Sequence, residues 1–191
     1  MKTLALAILL GLFLACNNNQ AKTDNTNSTD KSEQDSSSTT NVDKSEAVEE
    51  DALGFKIIGD SVVIPSFEIE IKLSEKAEAK LKADNETIIV AAYFSGEPMP
   101  EASDADKDDI YYLPTHEIEL SDTRVARFDN AKFAKYSYNL LENKDISVLI
   151  NVYSGRRSSE NNILDCGILE EPISKVKGKR FTIEGKLIYG E

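Results

Sequence analysis

The sequence predicts an all-β fold: a single antiparallel β-sandwich with one short helix, preceded by a disordered tether. Three observations lead to this prediction. Several segments alternate apolar and charged residues, two longer segments are apolar at almost every position, and the composition changes near residue 52 of the 191-residue chain. We therefore divide the chain into residues 1–15, 16–51 and 52–191, and place the sandwich in the last of these.

The alternating segments are the clearest strand signals. The segment FEIEIKL (67–73) places four apolar residues on one side and three charged residues on the other, and HEIEL (116–120) repeats the pattern. Near the C-terminus, RFTIEGKLIY (180–189) does the same. Because successive side chains of a strand point to opposite faces, each segment predicts a strand with one buried face.

Two further segments are apolar on both faces. They are TIIVAAYF (87–94) and ISVLINVY (146–153), and this pattern is typical of central strands. Such strands are either covered on both sides, or have one face in the core and the other under loops. Weaker strand signals occur at 55–58, 61–64, 123–128 and 163–169.

One short helix is predicted within SEKAEAKLKADN (74–85). Ser74 is a suitable N-cap, and Ala77 and Leu81 form a narrow apolar face one turn apart. Asn85 is expected near the helix end. The segment 130–141 is ambiguous between a helical turn and irregular structure.

Eight or nine short strands with turn-rich connections favour a β-sandwich, with an open barrel as the alternative. The sequence contains no Trp, and Cys166 is the only cysteine after Cys16. The Cys–Trp–Cys core of antibody domains is therefore excluded, and the sandwich is expected to be immunoglobulin-like or transthyretin-like in outline only.

The N-terminal residues indicate export. Lys2 is followed by the apolar run LALAILLGLFLA (4–15), which is shorter than the roughly 20 residues needed to span a bilayer and matches the core of a signal peptide. The string FLAC, ending in Ala15 and Cys16, resembles the lipobox of bacterial lipoprotein precursors. The resemblance implies cleavage before Cys16, attachment of lipid such as palmitate to its thiol, and a membrane-anchored location in the bacterial cell envelope. We expect the outer membrane or cell surface rather than the inner membrane. The alternative is an ordinary signal peptide with a chance cysteine.

Residues 17–51 have the composition of a linker. They carry nine acidic residues against three lysines and very few large apolar side chains. Such a segment cannot bury enough apolar surface to offset the entropy of ordering, so we expect disorder. A coil of about 35 residues would reach roughly 30–35 Å. An acidic tail that binds a partner is the alternative.

The charge of residues 52–191 bears on their partners. Eighteen basic and 25 acidic residues give this part a net charge of −7, with no basic stripe. A nucleic-acid partner is therefore not expected.

The segment SGRRSSENN (154–162) is the main candidate for ligand or partner contact. Arg156 and Arg157 offer guanidinium groups that suit carboxylates or phosphates, and Ser158 and Asn161 add hydrogen-bonding groups. The alternative is structural, with one arginine paired to Asp165 or Glu160 to fasten the loop.

The acidic run SDADKDD (103–109) is a candidate for a weak calcium site. Asp104, Asp106 and Asp108 place carboxylates at alternate positions, as calcium ligands often are. The turn glycine and the bidentate glutamate of an EF-hand are missing. A solvated connection between strands is the alternative.

The remaining chemistry is sparse. His116 is the only histidine and lies on the inward side of its strand with Ile118 and Leu120, so we expect it to be partly buried and satisfied. A Ser-His-Asp hydrolase would need His116 as its base, but the GxSxG motif is absent. Cys166 has no basic neighbour in sequence, so we expect a buried, unreactive thiol.

The C-terminal string INVYSGRRSSENNILDCGILEEPI, with FTIEGKLI after it, resembles small exported bacterial β-domains of unassigned activity. Together these features predict a membrane-anchored lipoprotein whose sandwich binds a protein or an envelope component such as a glycan, without catalysis. A small-ligand or calcium-binding module is the alternative, and a hydrolase is the least favoured. Apart from the lipid on Cys16, no cofactor is expected.

Overall fold

A computed structural model of the chain describes residues 48–100, 102 and 110–190. The predicted signal peptide, Cys16 and nearly all of the predicted linker lie outside the described residues, as do Asp104, Asp106 and Asp108. In chain order, the described strands are β1 (Glu49–Glu50), β2 (Lys56–Ile58), β3 (Ser61–Val63), β4 (Phe67–Leu73), β5 (Ile88–Gly96), β6 (Tyr111–Tyr112), β7 (His116–Leu120), β8 (Val125–Phe128), β9 (Lys132–Ala134), β10 (Ser147–Ser154), β11 (Leu164–Cys166), β12 (Leu169–Pro172) and β13 (Arg180–Leu187). The described helices are α1 (Glu75–Asp84), α2 (Lys135–Asn139) and α3 (Ile173–Val176).

The strands form three sheets, and the predicted all-β class is confirmed. The central sheet has the order β12-β10-β5, with β6 and β7 both pairing with the other edge of β5. A second sheet has the order β11-β13-β4-β8, and a small third sheet has the order β1-β2-β3-β9. All of the strongly predicted strands are present, and each of the weaker signals coincides with at least one strand.

One strand pair departs from the expected antiparallel arrangement. β13 runs parallel to β4, with Arg180 opposite Glu68 and Gly185 opposite Leu73, whereas the other described strand pairs are antiparallel. Alternation of apolar and polar residues is the same for a strand in either direction, so the pattern in the sequence could not distinguish the two. The prediction of a wholly antiparallel sandwich was wrong for this pair.

All three sheets contribute to one apolar core. Ile69 of β4, Val90 of β5 and Ile150 of β10 are completely buried, and Val62 of β3 joins the same cluster. On β4 the buried positions alternate with half-buried glutamates, as FEIEIKL predicts. The two main sheets therefore both contribute to this core, and on β4 the buried side chains are the ones that the alternating pattern had assigned to the interior.

The two central strands bury one face more completely than the other. Along β10, residues alternate between half-buried and buried at all eight positions. The second face is not fully covered: Tyr93 of β5 is 38% exposed, and its neighbours on β10 are half-buried. The continuous apolar composition had suggested more complete cover, and the aromatic and small side chains of the strands themselves supply part of it.

The predicted helix α1 forms as expected. The Ser74 hydroxyl accepts a hydrogen bond from the Ala77 amide at 3.2 Å, and Ala77 and Leu81 are the buried residues of the helix. Asn85 ends it in the left-handed conformation at φ 52°. The ambiguous segment 130–141 contains both β9 and α2. Among the described residues, no helix combines the length and the apolarity that crossing a bilayer requires.

The folded part begins earlier than residue 52. Glu49 and Glu50 pair with β2, and the Asp51 carboxylate accepts hydrogen bonds from the amides of Leu53 and Phe55 and from the Tyr138 hydroxyl. These three acidic residues had been assigned to the linker by composition. Their side chains contribute little to the core, but their backbone and the Asp51 oxygens complete the third sheet, which composition does not reveal.

Candidate functional site

The loop between β10 and β11, which we call the arginine loop (residues 155–163), begins at a glycine that the fold requires. The Gly155 amide donates to the Thr87 carbonyl at 2.8 Å. A Cβ atom at position 155 would lie 1.8 Å from the Thr87 hydroxyl oxygen. Any side chain here would push the loop away from the start of β5, so glycine sets the close approach of the two strands.

Glu86, which precedes β5, holds the arginine loop through its carboxylate. Its Oε1 atom accepts hydrogen bonds from the amides of Thr87 (2.9 Å) and Arg157 (3.0 Å). Its Oε2 atom accepts from the Ser158 amide and the Ser158 hydroxyl, both at 2.7 Å. Arg156 is in the left-handed region at φ 58°, which turns the backbone so that the next two amides converge on this carboxylate.

The environment of Glu86 stabilises its charged form. The residue is only 5% exposed. Burial by itself would raise the pKa of the carboxyl, but the hydrogen bonds from Ser158, Arg157 and Thr87 outweigh burial and lower the pKa from 4.5 to about 2. Glu86 is therefore ionised at neutral pH and acts as an acceptor for the loop.

A second carboxylate holds the side chain of Arg157. The guanidinium donates to both oxygens of Glu119 on β7, Nε to Oε1 at 2.7 Å and an Nη to Oε2 at 2.8 Å. The Thr87 hydroxyl also donates to Glu119 Oε1 at 2.7 Å. These hydrogen bonds lower the pKa of Glu119 and raise that of Arg157. The pair is exposed to solvent, so its geometry is specific while its contribution to stability is small.

Arg156 points to a different part of the surface. Its guanidinium carbon lies 5.8 Å from the centre of the Tyr153 ring, in a cation–π arrangement. The Tyr153 hydroxyl donates to Glu117 at 2.7 Å, and burial together with this hydrogen bond raises the pKa of Tyr153 to about 12. The two adjacent arginines thus contact different strands: Arg156 contacts Tyr153 on β10, and Arg157 contacts Glu119 on β7.

The far end of the arginine loop closes on a buried serine. The Ser154 side chain is fully buried, and its hydroxyl accepts from the Ile163 amide at 3.1 Å. Asn162 Oδ1 accepts from the amides of Ser154 and Leu164 at 2.9 Å and 3.0 Å. Asn162 therefore joins the end of β10 to the start of β11, the two strands that flank the arginine loop.

Of the four residues predicted for ligand or partner contact, two are committed to internal hydrogen bonds. Arg157 and Ser158 contact Glu119 and Glu86, whereas the side chains of Arg156 and Asn161 remain on the surface. The alternative prediction, that an arginine fastens the loop by pairing with a carboxylate, has the correct kind of contact but the wrong acidic residues.

Arg157 pairs with neither Asp165 nor Glu160, because Glu119 lies beside it on the central sheet. The Asp165 Oδ2 atom instead lies 3.9 Å from the Lys186 Nζ atom. Glu86 and Glu119 were not predicted, since their roles depend on strand register that no local pattern encodes.

A polar groove of about 710 Å³ lies beside the arginine loop. Its walls include Arg157 and Glu119 on one side and α1 on the other, where Arg124 forms two hydrogen bonds to Glu78 at 2.9 Å and 2.7 Å. Both guanidinium groups of the groove are already paired with carboxylates. An anionic ligand would have to compete with them.

His116 and Cys166 both lie outside the arginine loop. His116 is partly buried on the same side of β7 as Leu120, and its Nε2 atom lies 3.0 Å from the Lys132 carbonyl oxygen. Cys166 is a free, partly buried cysteine, and burial and the nearby Asp165 charge raise its pKa to about 11. Its thiol is therefore mostly protonated at neutral pH.

The predicted calcium ligands Asp104, Asp106 and Asp108 lie outside the described residues, so the structure does not bear on them. Over residues 48–100, 102 and 110–190, no three His, Cys, Asp or Glu side chains are grouped as a metal site would require.

No protein-family model, curated protein or solved structure matches the chain.

Proposed function

We propose that the chain is a membrane-anchored lipoprotein of the bacterial cell envelope. Lipid is attached to Cys16, and the β-sandwich domain binds a protein or another envelope component without catalysis. The observation that carries this proposal is the order of three features along the chain. An apolar run of the kind expected for an export signal ends at Ala15, directly before Cys16; an acidic segment follows, and a folded domain has begun by Glu49.

The anchoring half of the proposal follows from the chemistry of Cys16. Buried acyl chains contribute about 0.8 kcal/mol per methylene group, and two chains or two signals make attachment stable. Cys16 is one of two cysteines, and the other, Cys166, lies at the edge of a sheet within the folded domain. A lipid on Cys16 would tether the domain through the linker and leave its surface accessible.

The non-catalytic part of the proposal is supported by the way the most polar loop is built. The carboxylate of Glu86 and the guanidinium of Arg157 are both used in internal contacts. A general base or nucleophile needs a side chain free to reach a substrate atom. The geometry therefore favours a rigid surface loop over a reactive site.

The anchoring half is tested with the two cysteines as a matched pair. The full chain is expressed in a bacterial host with radiolabelled palmitate, as wild type, Cys16→Ser and Cys166→Ser, and the cells are separated into soluble and membrane fractions. We expect label and membrane attachment in the wild type and in Cys166→Ser, and loss of both in Cys16→Ser. If Cys16→Ser remains labelled and membrane-bound, the anchoring proposal is wrong.

The binding half is tested by cross-linking in intact cells. A photoreactive side chain placed at Arg156 reports on the exposed arginine of the loop, and the same group at Glu75 on α1 serves as the surface control. The proposal predicts specific adducts with an envelope component. Turnover of a substrate by the purified chain, lost on His116→Ala, would instead establish the hydrolase alternative.

A further inference from the structure

The outer face of the central sheet differs from the rest of the domain in its charge. The outward positions are the alternate residues of β5 from Ile89 to Ser95 and of β10 from Ser147 to Tyr153, as their antiparallel register shows. None of these positions carries a charged residue, although 29% of the chain is Asp, Glu, Lys or Arg. Central strands are commonly apolar on both faces, but Tyr93 on this face is 38% exposed, so part of the uncharged face is open to solvent.

Three tyrosines form a diagonal row across this face, which we call the tyrosine row (Tyr112, Tyr93 and Tyr153). Tyr112 of β6 lies opposite Ser95, Tyr93 lies on β5, and Tyr153 of β10 lies opposite Ile89. Tyr112 is 70% exposed, whereas Tyr153 is partly covered by Arg156. From the strand rise, the row extends roughly 20 Å along the sheet.

Hydrogen-bonding groups accompany the rings. Asn151 lies between the levels of Tyr93 and Tyr153 on the same face, and Ser95 lies opposite Tyr112. At one edge, Glu117 already fixes the Tyr153 hydroxyl at 2.7 Å and retains further acceptor capacity. The face therefore combines flat apolar rings with amide, hydroxyl and carboxylate groups.

The charge distribution selects among ligands. The outward positions of β5 and β10 carry no formal charge. The charges around them are of both signs: Glu117 and Glu170 are acidic, Arg156 over the Tyr153 ring is basic, and Glu119 is paired with Arg157. Because these few charges are of both signs, the face offers a complementary field to neither a polyanion nor a polycation. The complementary ligand is uncharged and rich in hydroxyl groups.

The dimensions also distinguish ligands. A strip of roughly 20 Å by 10 Å, taken from strand rise and spacing, covers about 200 Å². A stable protein–protein interface buries about 800 Å² on each partner. The tyrosine row is therefore too small for such an interface but matches a single extended polymer chain.

We propose that the tyrosine row is a docking surface for an uncharged glycan strand of the cell envelope. The rings of Tyr93 and Tyr112 stack against the C–H faces of sugar rings, and Asn151 and Glu117 bond to sugar hydroxyls. This inference rests on the proposed function, because it identifies the bound envelope component as a glycan.

The test measures binding of the full chain, purified in a detergent without sugar groups, to two probes. Peptidoglycan sacculi are used in a sedimentation assay, and a soluble neutral β-glucan is used in titration calorimetry, so that cell-wall and free-polysaccharide sources are distinguished. The variants are Tyr93→Ala and Tyr112→Ala. The matched control is Tyr136→Ala, which removes a tyrosine that is 72% exposed on α2.

We expect the wild type to bind the sacculi, and binding to the soluble β-glucan alone would contradict an envelope glycan as the ligand. Each row variant should weaken binding roughly three- to tenfold, as loss of one aromatic contact implies, and Tyr136→Ala should bind like the wild type. We expect thermal unfolding to show that Tyr112→Ala is folded, since its ring is 70% exposed. Failure of the wild type to bind either glycan, or equal binding by wild type and both row variants, would overturn the inference.

The same preparations separate the inference from the proposed function. Membrane attachment through Cys16 together with cross-links to a protein, in the absence of glycan binding, would refute the docking surface and leave the proposed function standing. Glycan binding that depends on Tyr93 and Tyr112 in a chain that is not membrane-bound would refute the anchoring and support the docking surface.

Discussion

Replacing Glu86 with Gln removes the charge that organises the arginine loop while keeping the size of the side chain. The carboxylate accepts four hydrogen bonds, three from backbone amides and one from the Ser158 hydroxyl. A Gln side chain retains one acceptor oxygen, but its NH₂ group would face at least one of the amides. Buried donors left without an acceptor cost about 1–3 kcal/mol each.

The pKa of Glu86 gives a second measure of how much its carboxylate contributes to the free energy of unfolding. A pKa lowered from 4.5 to about 2 corresponds to about 3 kcal/mol of stability, since one pKa unit is worth 1.36 kcal/mol. Allowing for nearby solvent, we expect Glu86→Gln to lower the free energy of unfolding at pH 7 by about 2–3 kcal/mol. Because the folded pKa is the lower one, this contribution is complete above pH 4.5 and disappears as the pH falls toward 2.

The assay is urea unfolding followed by circular dichroism, at pH values from 7 down to 2.5, on wild type and Glu86→Gln. The difference between the two curves isolates this carboxyl from the others that titrate in the same range. Glu170→Gln makes the same charge change at an exposed position of β12 and should alter stability by less than about 0.5 kcal/mol. A difference for Glu86→Gln below about 0.5 kcal/mol, or one that does not shrink in acid, would refute the reasoning.

Three other predictions concern the same region. Gly155→Ala places a Cβ atom 1.8 Å from the Thr87 hydroxyl oxygen and should lower the stability of the domain by about 1–3 kcal/mol in thermal unfolding. The control Gly167→Ala should be nearly neutral, because the atoms nearest to its added Cβ are 3.9 Å away. Arg157→Ala removes an exposed ion pair and should leave the urea midpoint close to that of the wild type, so a loss of stability as large as that of Glu86→Gln would contradict the exposed geometry. Cys166, with its pKa raised to about 11, should react with a thiol reagent at pH 8 many times more slowly in the folded chain than in urea, and equal rates would show that the thiol is not protected.

The arginine loop shows how far local sequence reasoning extends. From the adjacent glycine, arginines and serines we predicted a loop that either contacts a ligand or partner or is fastened to the domain by an arginine. Arg157 and Ser158 are indeed held by carboxylates. The acidic partners, Glu86 and Glu119, lie 71 and 38 residues earlier than Arg157. Their proximity is created when β7 and β10 pair with opposite edges of β5, and residue identity alone carries no information about that register.

The tyrosine row illustrates the same limit. TIIVAAYF and ISVLINVY identified two central strands, but a continuous apolar composition did not show which face would remain accessible. Tyr93 and Tyr153 belong to separate segments, and Tyr112 belongs to none of the predicted strands. Only the pairing of β5 with β6 and β10 places them on one surface.

By itself, the sequence determined the all-β class, the strongly alternating strands and the position of α1 with its Ser74 cap and Asn85 end. These features depend on periods of two and 3.6 residues and on capping, which are local properties of the chain. The tertiary structure decided that β13 lies parallel to β4, that Asp51 belongs to the folded domain, and that Glu86 collects the amides of a distant loop. Those features depend on which segments meet across long sequence separations, where the free energy is set by packing and hydrogen bonding between elements rather than within them.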